Sequence, residues 1–350
     1  MNLVNVAIIG SGYWGPNLIR NVAALPTARL HTVCDIREEA LVQIKKQYPA
    51  TRLTANSLEV LNDPAIDAVV IATPVATHYT LVKESLEAGK HVLVEKPLAM
   101  TSVECQELID LAEQQNRVLM VGHVFRYNAA VQKLKSYIDS GELGEIYYIY
   151  SSRLNLGRIR RDVNALWNFA PHDISIITHL LDMTPAQVTV SGFSYIQPAV
   201  EDVVFMTLNF PNGIGAHIHL SWLDPRKVRL MTVVGSKKMV IYDDVSSDAK
   251  IRVYDKSVTK QPMQQSLGDF SSFGEFQLLL RAGDVLIPKI DFVEPLKVEC
   301  QHFIECILEQ KQPLTDGWEG LRVVQVLEAA QRSLDKHGYP EPIDDESKLA

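Results

Sequence analysis

Three glycines near the start of the chain have the spacing of a phosphate-binding turn. Gly10, Gly12 and Gly15 follow the apolar, β-branched run Val4–Ile9 and precede a predicted helix from Pro16 to about Leu25. In such a turn the first glycine permits the bend, the second lets the backbone approach a pyrophosphate, and the third allows close helix packing. The helix N-terminus offers free N–H groups and the positive end of its dipole to the phosphates. The pattern predicts a dinucleotide site.

An acidic residue follows at the position that usually recognises the adenosine ribose. Asp35 comes after a predicted strand, Leu30–Cys34, and lies 20 residues beyond Gly15. Its carboxylate would accept hydrogen bonds from the ribose hydroxyls and repel a 2′-phosphate, which favours NAD over NADP. Arg37 keeps NADP open as the alternative, because an arginine near this strand end can hold that phosphate. Further predicted cofactor contacts around this turn are Tyr13, Trp14 and Ile36.

The chain beyond this turn alternates between two kinds of segment. Valine-rich runs at Ala68–Ala72, His91–Glu95 and Val118–Gly122 predict strands, and the amphipathic segments Thr77–Ala88 and Ser102–Gln115 predict helices. This alternation is typical of a doubly wound parallel sheet.

Three loops follow the predicted strand ends. They are Thr73-Pro74, Glu95-Lys96-Pro97 and Gly122-His123. Ligands bind beyond the carboxyl ends of the strands in such sheets, so we expect these loops to form the floor of the site.

A different pattern follows Gly122. After a predicted helix from about Ala130 to Ser140, strands are joined by turns rich in proline, glycine and asparagine. Consecutive strands without intervening helices predict a largely antiparallel sheet in an α+β domain. We expect one face of this sheet to cover the nicotinamide and the other to pair with a second subunit. The predicted strands are Ile146–Leu154, Val188–Tyr195, Val203–Phe210, Gly215–Ser221, Lys227–Val234, Lys238–Tyr242 and Lys250–Tyr254.

The expected fold class is α/β, with an N-terminal Rossmann doubly wound parallel sheet and a C-terminal α+β domain with a large, mostly antiparallel sheet. Residues 1–122 form the predicted NAD-binding domain, and residues 123–293 form a substrate-binding and oligomerisation domain. Residues 294–350 contain two predicted helices, about Pro295–Gln310 and Gly317–His337, that pack back near the first domain, and a polar tail.

These motifs together resemble the Gfo/Idh/MocA family of NAD(P)-dependent oxidoreductases. The similarity includes the glycine turn with Asp35, and Ala72-Thr73-Pro74 followed by His78. Glu95-Lys96-Pro97 is far more specific than the glycines. The similarity continues in Leu166–Asp173, which is similar to the second motif of the family, so it extends over nearly the whole chain. The cofactor contacts that the resemblance implies are Thr73, Pro74, His78, Glu95, Lys96 and Pro97.

The resemblance also implies roles for three side chains. Lys96 would hydrogen-bond a substrate hydroxyl and the nicotinamide ribose, His172 would handle the proton, and Asn168 would help to hold the substrate. This chain has Asn168 where the family usually has Asp. A second carboxylate is therefore absent at that position, and His172 and Lys96 must carry the acid/base role.

The chemistry of alcohol oxidation fits these residue types. The reaction removes a hydride from carbon and a proton from oxygen, so a base must lie within ~3 Å of the hydroxyl. The ordinary pKa of histidine, near ~6.5, suits His172 to this task, and the charge of Lys96 would stabilise a developing alkoxide. The alternative interpretation of His172 is a structural residue at the start of an apolar helix, Ile174–Leu181.

Four arginines are clustered within Arg153–Arg161, just before the proposed catalytic histidine. Arginine binds phosphates and carboxylates bidentately, so the cluster is interpreted as an anchor for a nucleotide-sugar diphosphate or an acidic sugar. The alternative is a solvated loop or an inter-subunit strip of salt bridges. Trp167, a further predicted cofactor contact, can stack on sugar or nicotinamide, or belong to the core. The predicted substrate contacts are Lys96, Arg126, Tyr127, Arg153, Asn155, Arg158, Asn168 and His172.

Composition argues against several classes of protein. The 34 basic and 42 acidic side chains give a net charge of −8, which argues against a nucleic-acid partner. No apolar run approaches the ~20 residues of a membrane span, and the start lacks the basic region of a signal peptide. Four scattered cysteines predict neither disulfides nor a zinc site, and His217 with His219 is a weak candidate metal pair. We therefore expect no metal, no membrane association and a cytoplasmic location.

The expected function is NAD-dependent oxidation of a secondary hydroxyl, at C3 of a pyranose, by a homodimer or homotetramer. A nucleotide sugar such as a UDP-N-acetylhexosamine, used in polysaccharide biosynthesis, is the favoured substrate. The preference comes from a resemblance, in Asn155-Leu156-Gly157 and Trp167–Asp173, to family members that act at C3 of UDP-N-acetylglucosamine-type sugars. The alternatives are an NAD(P)H-dependent keto-sugar reductase, a dehydrogenase of a free sugar or inositol, and a non-catalytic NAD-binding regulatory protein.

Overall fold

The computed structural model describes residues 3–157, 159–258 and 280–343. The chain divides into two units. The first comprises Met1–Asn128 and Val293–Glu328, and the second comprises Ala129–Phe292 and Ala329–Ala350.

Six parallel strands form the sheet of the first unit. Their bounds are β1 Val4–Ile9, β2 Ala28–Cys34, β3 Arg52–Thr54, β4 Ala68–Ile71, β5 His91–Glu95 and β6 Leu119–Gly122. They lie in the order β3-β2-β1-β4-β5-β6, the order of a doubly wound sheet. Burial on both faces explains the nearly continuous apolar runs of β4, β5 and β6.

The register of this sheet places its strand ends along one edge. Ile9, at the end of β1, pairs with Cys34 of β2 and with Ile71 of β4. Glu95, at the end of β5, pairs with Gly122 of β6. The residues that follow these strands therefore emerge side by side at the edge where such sheets bind ligands.

Five helices connect these strands. They are α1 Gly15–Ala23, α2 Glu38–Gln47, α3 Ser57–Leu61, α4 His78–Glu87 and α5 Ser102–Gln114. The start of α5 is fixed by a capping box, in which the Thr101 side chain accepts from the Glu104 backbone and the Glu104 side chain accepts from the Thr101 backbone.

The second unit contains a nine-stranded sheet and helices α6 Ala129–Asp139 and α7 Ala165–Leu181. The strands are β7 Ile146–Leu156, β8 Gln187–Phe193, β9 Val203–Asn209, β10 Gly215–Ser221, β11 Leu223–Gly235, β12 Met239–Asp243, β13 Ile251–Val258, β14 Leu280–Leu286 and β15 Glu341–Pro342. Their order is β14-β13-β12-β11-β7-β10-β9-β8-β15, and all neighbours are antiparallel except β7 and β10. Helix α7 packs against β7, β9 and β10 and covers one face of the sheet.

Two helices near the end of the chain are α8 Pro295–Glu309 and α9 Gly317–Asp335. Leu296, Cys300 and Phe303 of α8 join the apolar core of the first unit. The residues of α9 as far as Glu328 belong to that unit as well.

The predicted fold class is confirmed: a parallel Rossmann-like sheet is followed by a larger, mostly antiparallel one. One helix differs from its prediction. The segment expected to start at Ile174 begins at Ala165, because the Asn164 side chain caps it by accepting a hydrogen bond from Trp167 N. Pro171 lies inside this helix, so His172 is a mid-helix residue. No helix of the described residues is long and apolar enough to cross a membrane.

Candidate active site

The glycine turn connects β1 to α1 with little free space except at its middle. Gly10 has a φ of +98°, and a Cβ there would lie 2.7 Å from the Ala72 carbonyl carbon. A Cβ on Gly15 would lie 2.3 Å from the Gly10 oxygen. At Gly12 the nearest atom, Arg37 Nη2, would be 3.9 Å away. This open middle is the kind of cradle into which a pyrophosphate fits.

Asp35 is fully engaged by neighbouring donors at the end of β2. Its Oδ2 accepts hydrogen bonds from Ser11 N at 2.7 Å and Ser11 Oγ at 2.8 Å. The Arg37 guanidinium donates to both carboxylate oxygens, from Nε at 3.0 Å and from Nη2 at 2.9 Å. Burial alone would raise the pKa of Asp35, but the hydrogen bonds from Arg37 and Ser11 hold it well below its ordinary value. The ionised carboxylate therefore ties the glycine turn to β2.

Two large apolar side chains flank this turn and face solvent. Tyr13 is 87% exposed and Ile36 is 86% exposed, the highest values among the large hydrophobic side chains described. Exposed apolar groups at the rim of a site are surfaces that a bound ligand covers. Both side chains were predicted as cofactor contacts, and both are open to solvent.

His78 and Trp14 connect the loops that follow the strand ends. The buried His78 ring places Nδ1 2.8 Å from the Pro97 carbonyl oxygen and Nε2 3.0 Å from the Thr73 carbonyl oxygen. Burial lowers the pKa of His78. The Trp14 indole donates a hydrogen bond to the Glu95 carboxyl group. Both ring nitrogens of His78 are used in holding these loops together.

Lys96 is partly buried where the chain leaves β5. A Cβ on Gly122 would lie 3.2 Å from the Glu95 carboxyl carbon, so the glycine at the end of β6 makes room for this group. Burial raises the pKa of Glu95, and the charge of Lys96 opposes that rise. The loop therefore brings an ammonium and a carboxyl group together at the ligand-binding edge.

The turn after β6 buries His123 and two predicted substrate contacts, Arg126 and Tyr127. Arg126 Nη1 donates a hydrogen bond to Glu319 at 2.6 Å, and the Tyr127 hydroxyl lies 3.1 Å from Thr315 Oγ1. His123 is buried too, and burial is the main cause that lowers its pKa to about 3, so its ring is neutral. The substrate contacts predicted at Arg126 and Tyr127 thus concern side chains already engaged by the later segment of the first unit.

Glu299 was missed by the sequence analysis. It is fully buried on α8, and neither carboxyl oxygen has a hydrogen-bond partner among the described residues. Burial and the nearby Glu95 raise its pKa well above the ordinary value. The sequence did contain a signal, because Glu299 falls within the helical spacing of the buried residues Leu296, Cys300 and Phe303.

In the second unit, α7 carries two of the predicted site residues on one face. Asn168 and His172 are four residues apart, so their side chains project together, and both are partly buried. Trp167 is held near the helix start, where its Nε1 donates to the Gln331 side chain at 3.1 Å. The helix therefore presents an amide and an imidazole side by side.

Arg153 is used inside the second unit, not on its surface. It is buried on β7, and its Nε donates to Asp173 at 2.5 Å. The Ser151 hydroxyl donates to the same carboxylate at 2.6 Å. A substrate anchor at Arg153 would have to compete with this buried pair. In the following loop Arg160 pairs with Asp162, and Arg158 lies outside the described residues.

Arg229 on β11 is a second residue that the sequence analysis missed. Its Nη2 donates to Asn155 Oδ1 at 2.9 Å, and its guanidinium carbon lies 5.2 Å from the centre of the Phe169 ring. Asn155 itself was a predicted substrate contact. No sequence signal separates Arg229 from Arg226 on the same strand, because only the register with β7 brings it to Asn155.

The two units carry different sets of polar groups. The first has an open glycine turn, a ribose-type carboxylate and a lysine at one sheet edge, which fit a dinucleotide. The second has an amide, an imidazole and a guanidinium around α7. Among the described residues, no group of three or more His, Cys, Asp and Glu side chains is arranged to hold a metal ion.

Both halves of the chain match family models. Residues 4–123 match an oxidoreductase family with an NAD-binding Rossmann fold, named GFO_IDH_MocA. Residues 131–241 match the GFO/IDH/MocA C-terminal domain.

Similar proteins cover nearly the full length. The scyllo-inositol 2-dehydrogenase (NAD(+)) of Bacillus subtilis (strain 168) is 25% identical, covering 97% of this chain and 96% of its own. The UDP-N-acetylglucosamine 3-dehydrogenase of Acidithiobacillus ferrooxidans is 24% identical, covering 92% and 94%. The structure of GnnA, the enzyme of that name from the same organism, has a TM-score of 0.80 at 21% identity, covering 96% and 99%.

A further solved structure is levoglucosan dehydrogenase in complex with NADH and L-sorbose. It has a TM-score of 0.83 at 20% identity and covers 98% of this chain and 100% of its own. The fold, the two family models and the residues at the sheet edge agree. The chain belongs to the Gfo/Idh/MocA family, whose sugar and polyol oxidoreductases act on CH–OH groups with NAD.

Proposed function

We propose that this protein oxidises a secondary hydroxyl group, at C3 of a pyranose carried by a nucleotide, such as a UDP-N-acetylhexosamine. The observation that carries the proposal is the face of α7 with Asn168 and His172. Similarity to a UDP-N-acetylglucosamine 3-dehydrogenase over 92% of the chain supports the choice of sugar. A reaction of this kind fits polysaccharide biosynthesis.

Three side chains divide the work on the substrate. His172 takes the hydroxyl proton as the carbon–hydrogen bond breaks and the ketone forms. Lys96 hydrogen-bonds the same oxygen, and its positive charge stabilises the negative charge that develops there. Asn168, one turn before His172, hydrogen-bonds a neighbouring group and orients the sugar. The proposal requires both Lys96 and His172 to reach one substrate molecule.

Bound NAD accepts the hydride in this reaction. Backbone N–H groups at the glycine turn would hold its pyrophosphate, with Tyr13 and Ile36 flanking the adenosine. Asp35 would bind the ribose hydroxyls, and the half-exposed Arg37 side chain must then move away from the carboxylate that it now occupies. The proposed contacts for the rest of the cofactor are Thr73, Pro74, Pro97 and Trp167. The loops around these residues would be positioned by His78, Glu95 and Trp14.

A second candidate function is oxidation of a free polyol. It is favoured by the similarity to a scyllo-inositol 2-dehydrogenase over 97% of the chain. Reduction of a keto-sugar is the same chemistry run in the opposite direction. A regulatory role for bound NAD would instead give nucleotide binding with no turnover of any sugar.

The test is NADH formation with UDP- and dTDP-sugars, the matching free sugars, and inositols. Replacing Lys96→Met or His172→Ala should lower kcat at least ~100-fold, the scale of lost acid/base catalysis. His179→Ala, on the same helix as His172, is the matched control and should leave kcat unchanged. Turnover of unphosphorylated polyols alone would contradict the nucleotide-sugar assignment. Near-normal activity of either variant would remove that residue from the mechanism.

We also propose a homodimer or homotetramer that forms through the outer face of the nine-stranded sheet. Aromatic side chains of neighbouring strands are exposed there, and Phe205 stacks on His219 with ring centres 4.4 Å apart. A contiguous exposed patch of this kind marks an interaction surface. The aromatic members are Tyr148, Tyr150, Phe193 and Phe205.

Sedimentation velocity tests this assembly. Phe205→Glu should shift the protein to monomer, whereas Tyr339→Glu, an exposed aromatic outside the patch, should sediment like the wild type. A monomeric wild type would contradict the proposal. The cytoplasmic location stays a prediction.

A further inference from the structure

Arg229 is a partly buried cation that is surrounded by neutral acceptors. Its Nη1 donates to the carbonyl oxygens of Leu154 at 3.0 Å and Val228 at 2.8 Å, and its Nη2 donates to Asn155 Oδ1. It forms no salt bridge with any described residue. A guanidinium has five N–H donors, so at least two are left for a further acceptor.

The carboxylates nearest to Arg229 have other partners. Asp173 accepts hydrogen bonds from Arg153 and Ser151, and Asp244 accepts from the Tyr242 hydroxyl at 3.0 Å. Burial, and then the charge of Arg153, lower the pKa of Arg229 to about 10. The side chain stays charged at neutral pH, and a desolvated cation without a counter-charge is unfavourable until an anion binds.

Arg229 lies next to the part of α7 that carries the proposed catalytic face. It contacts the ring of Phe169, the residue after Asn168. The Asp173 carboxylate, which acts on its pKa, belongs to the residue after His172. An anion held at Arg229 would therefore lie close to the proposed substrate hydroxyl.

Asn155 and Gly157 orient this cation. A Cβ on residue 157 would lie 1.9 Å from Asn155 Nδ2, so the glycine leaves the space that the Asn155 amide occupies. The Asn155 oxygen in turn accepts from Arg229. The planar guanidinium is thus held between an amide and an aromatic ring, an arrangement suited to bidentate binding of an oxyanion.

We propose that Arg229 binds an anionic group of the substrate, so that the enzyme selects a charged sugar, carrying a phosphate or a carboxylate, over a neutral polyol. This inference rests on the proposed function and assigns the anchoring role to Arg229 in place of Arg153. The selectivity comes from a single cation that forms no salt bridge with the part of the chain that the structure describes.

The experiment compares kcat and KM of Arg229→Gln, Arg229→Lys and Arg226→Gln. Arg226 is an exposed arginine of the same strand and serves as the matched control. The substrates are UDP-N-acetylglucosamine, glucuronic acid, N-acetylglucosamine and myo-inositol. Arg229→Gln should raise KM for the charged substrates roughly 10- to 100-fold, the scale of a charged bidentate hydrogen bond, and much more than for the neutral ones. Arg229→Lys should recover part of this loss.

The charged substrates identify the group that is bound. If Arg229→Gln raises KM only for UDP-N-acetylglucosamine, the bound group is a phosphate. If it raises KM only for glucuronic acid, the bound group is a carboxylate. An equal rise for charged and neutral substrates, or a fall in Tm without any change in selectivity, would overturn the proposal, because Arg229 would then only join β7 to β11.

Calorimetric titration separates this proposal from the proposed function. The wild type and Arg229→Lys, a variant that is expected to fold, are titrated with UDP and with glucuronate. Weaker binding of either anion to the variant supports Arg229 even if no substrate is oxidised. Equal binding to both proteins, or a wild type that turns over neutral polyols alone, overturns it.

Discussion

Each unit of the protein buries a carboxyl group, but the surroundings of the two groups are opposite. Asp173, in the second unit, accepts hydrogen bonds from Arg153 at 2.5 Å and Ser151 at 2.6 Å. Glu299, in the first unit, is completely buried, and no described residue donates to it. A second carboxyl group, that of Glu95, acts on Glu299 and raises its pKa further.

The difference shows how each environment sets the charge state. A carboxylate stays ionised in the interior only where donors replace the water that it has lost. Asp173 has such donors and forms a fixed ion pair. Glu299 has no such donor in the described parts of the chain, so burial favours its neutral form and makes stability in the first unit depend on pH.

Removing the cation beside Asp173 should have the largest effect. Arg153→Met leaves a buried carboxylate without its partner, and we expect a loss of about 3–5 kcal/mol in the free energy of unfolding. Urea denaturation measures this loss. The double variant Arg153→Met/Asp173→Leu should recover most of it, because both charges are then gone. Equal destabilisation of the single and double variants would mean that packing, not charge, dominates at this position.

Replacing Glu299 should change the pH dependence of stability. The folded-state pKa of Glu299 is raised, so the protonated group stabilises the fold below its unfolded pKa of ~4.3, and this stability is lost as pH rises. Wild type should therefore lose up to about 1.4 kcal/mol per pH unit relative to Glu299→Gln above pH ~5.

Parallel denaturation curves of the two proteins at several pH values provide the measurement. Glu305→Gln, on the same helix and partly exposed, is the control and should follow the wild type. A constant difference between wild type and Glu299→Gln across this pH range would contradict a neutral Glu299.

Most strands of both sheets were predictable because their signal is local, whereas β3, β14 and β15 were not predicted. The runs at His91–Glu95 and Gly215–Ser221 have the observed bounds. The start of α7 was not predictable in the same way, since Pro171 looked like the first turn of a helix. The Asn164 cap lies ten residues before the predicted start at Ile174. Its side chain also donates to Glu201 and Gln331, which are remote in sequence.

The candidate site residues differ in the same way, because some are indicated by local motifs and others depend on contacts remote in sequence. The glycine turn and Lys96 follow directly from motifs, because each motif lies at one strand end. The pairing of Arg153 with Asp173 and the contact of Arg229 with Asn155 depend on strand register, which a single sequence does not specify. The arginine-rich stretch Arg153–Arg161 was therefore visible in the sequence, whereas the contacts of Arg229, which lies outside that stretch, were not.

Asp35 extends the comparison within the first unit, because it has donors where the described residues offer Glu299 none. Its pKa is depressed, so its stabilising effect is present above the unfolded pKa of ~3.9 and is lost as pH falls. Asp35→Asn should cost about 1–2 kcal/mol at pH 7, and the cost should shrink toward pH 3. Denaturation at both pH values measures this change, which has the opposite sign to that of Glu299. A cost that grows at low pH would contradict it.

The smallest effect is expected where a carboxylate and its partner are both left in water. Arg20 donates to Glu294 at 2.6 Å, but the two side chains are 50% and 39% exposed. Solvent screening and the entropy of holding two long side chains offset most of the attraction. Arg20→Gln should therefore unfold at nearly the same urea concentration as the wild type, and any difference should disappear in 1 M salt, where the screening length is ~3 Å. A salt-resistant loss as large as that of Arg153→Met would show that burial does not decide the strength of these pairs.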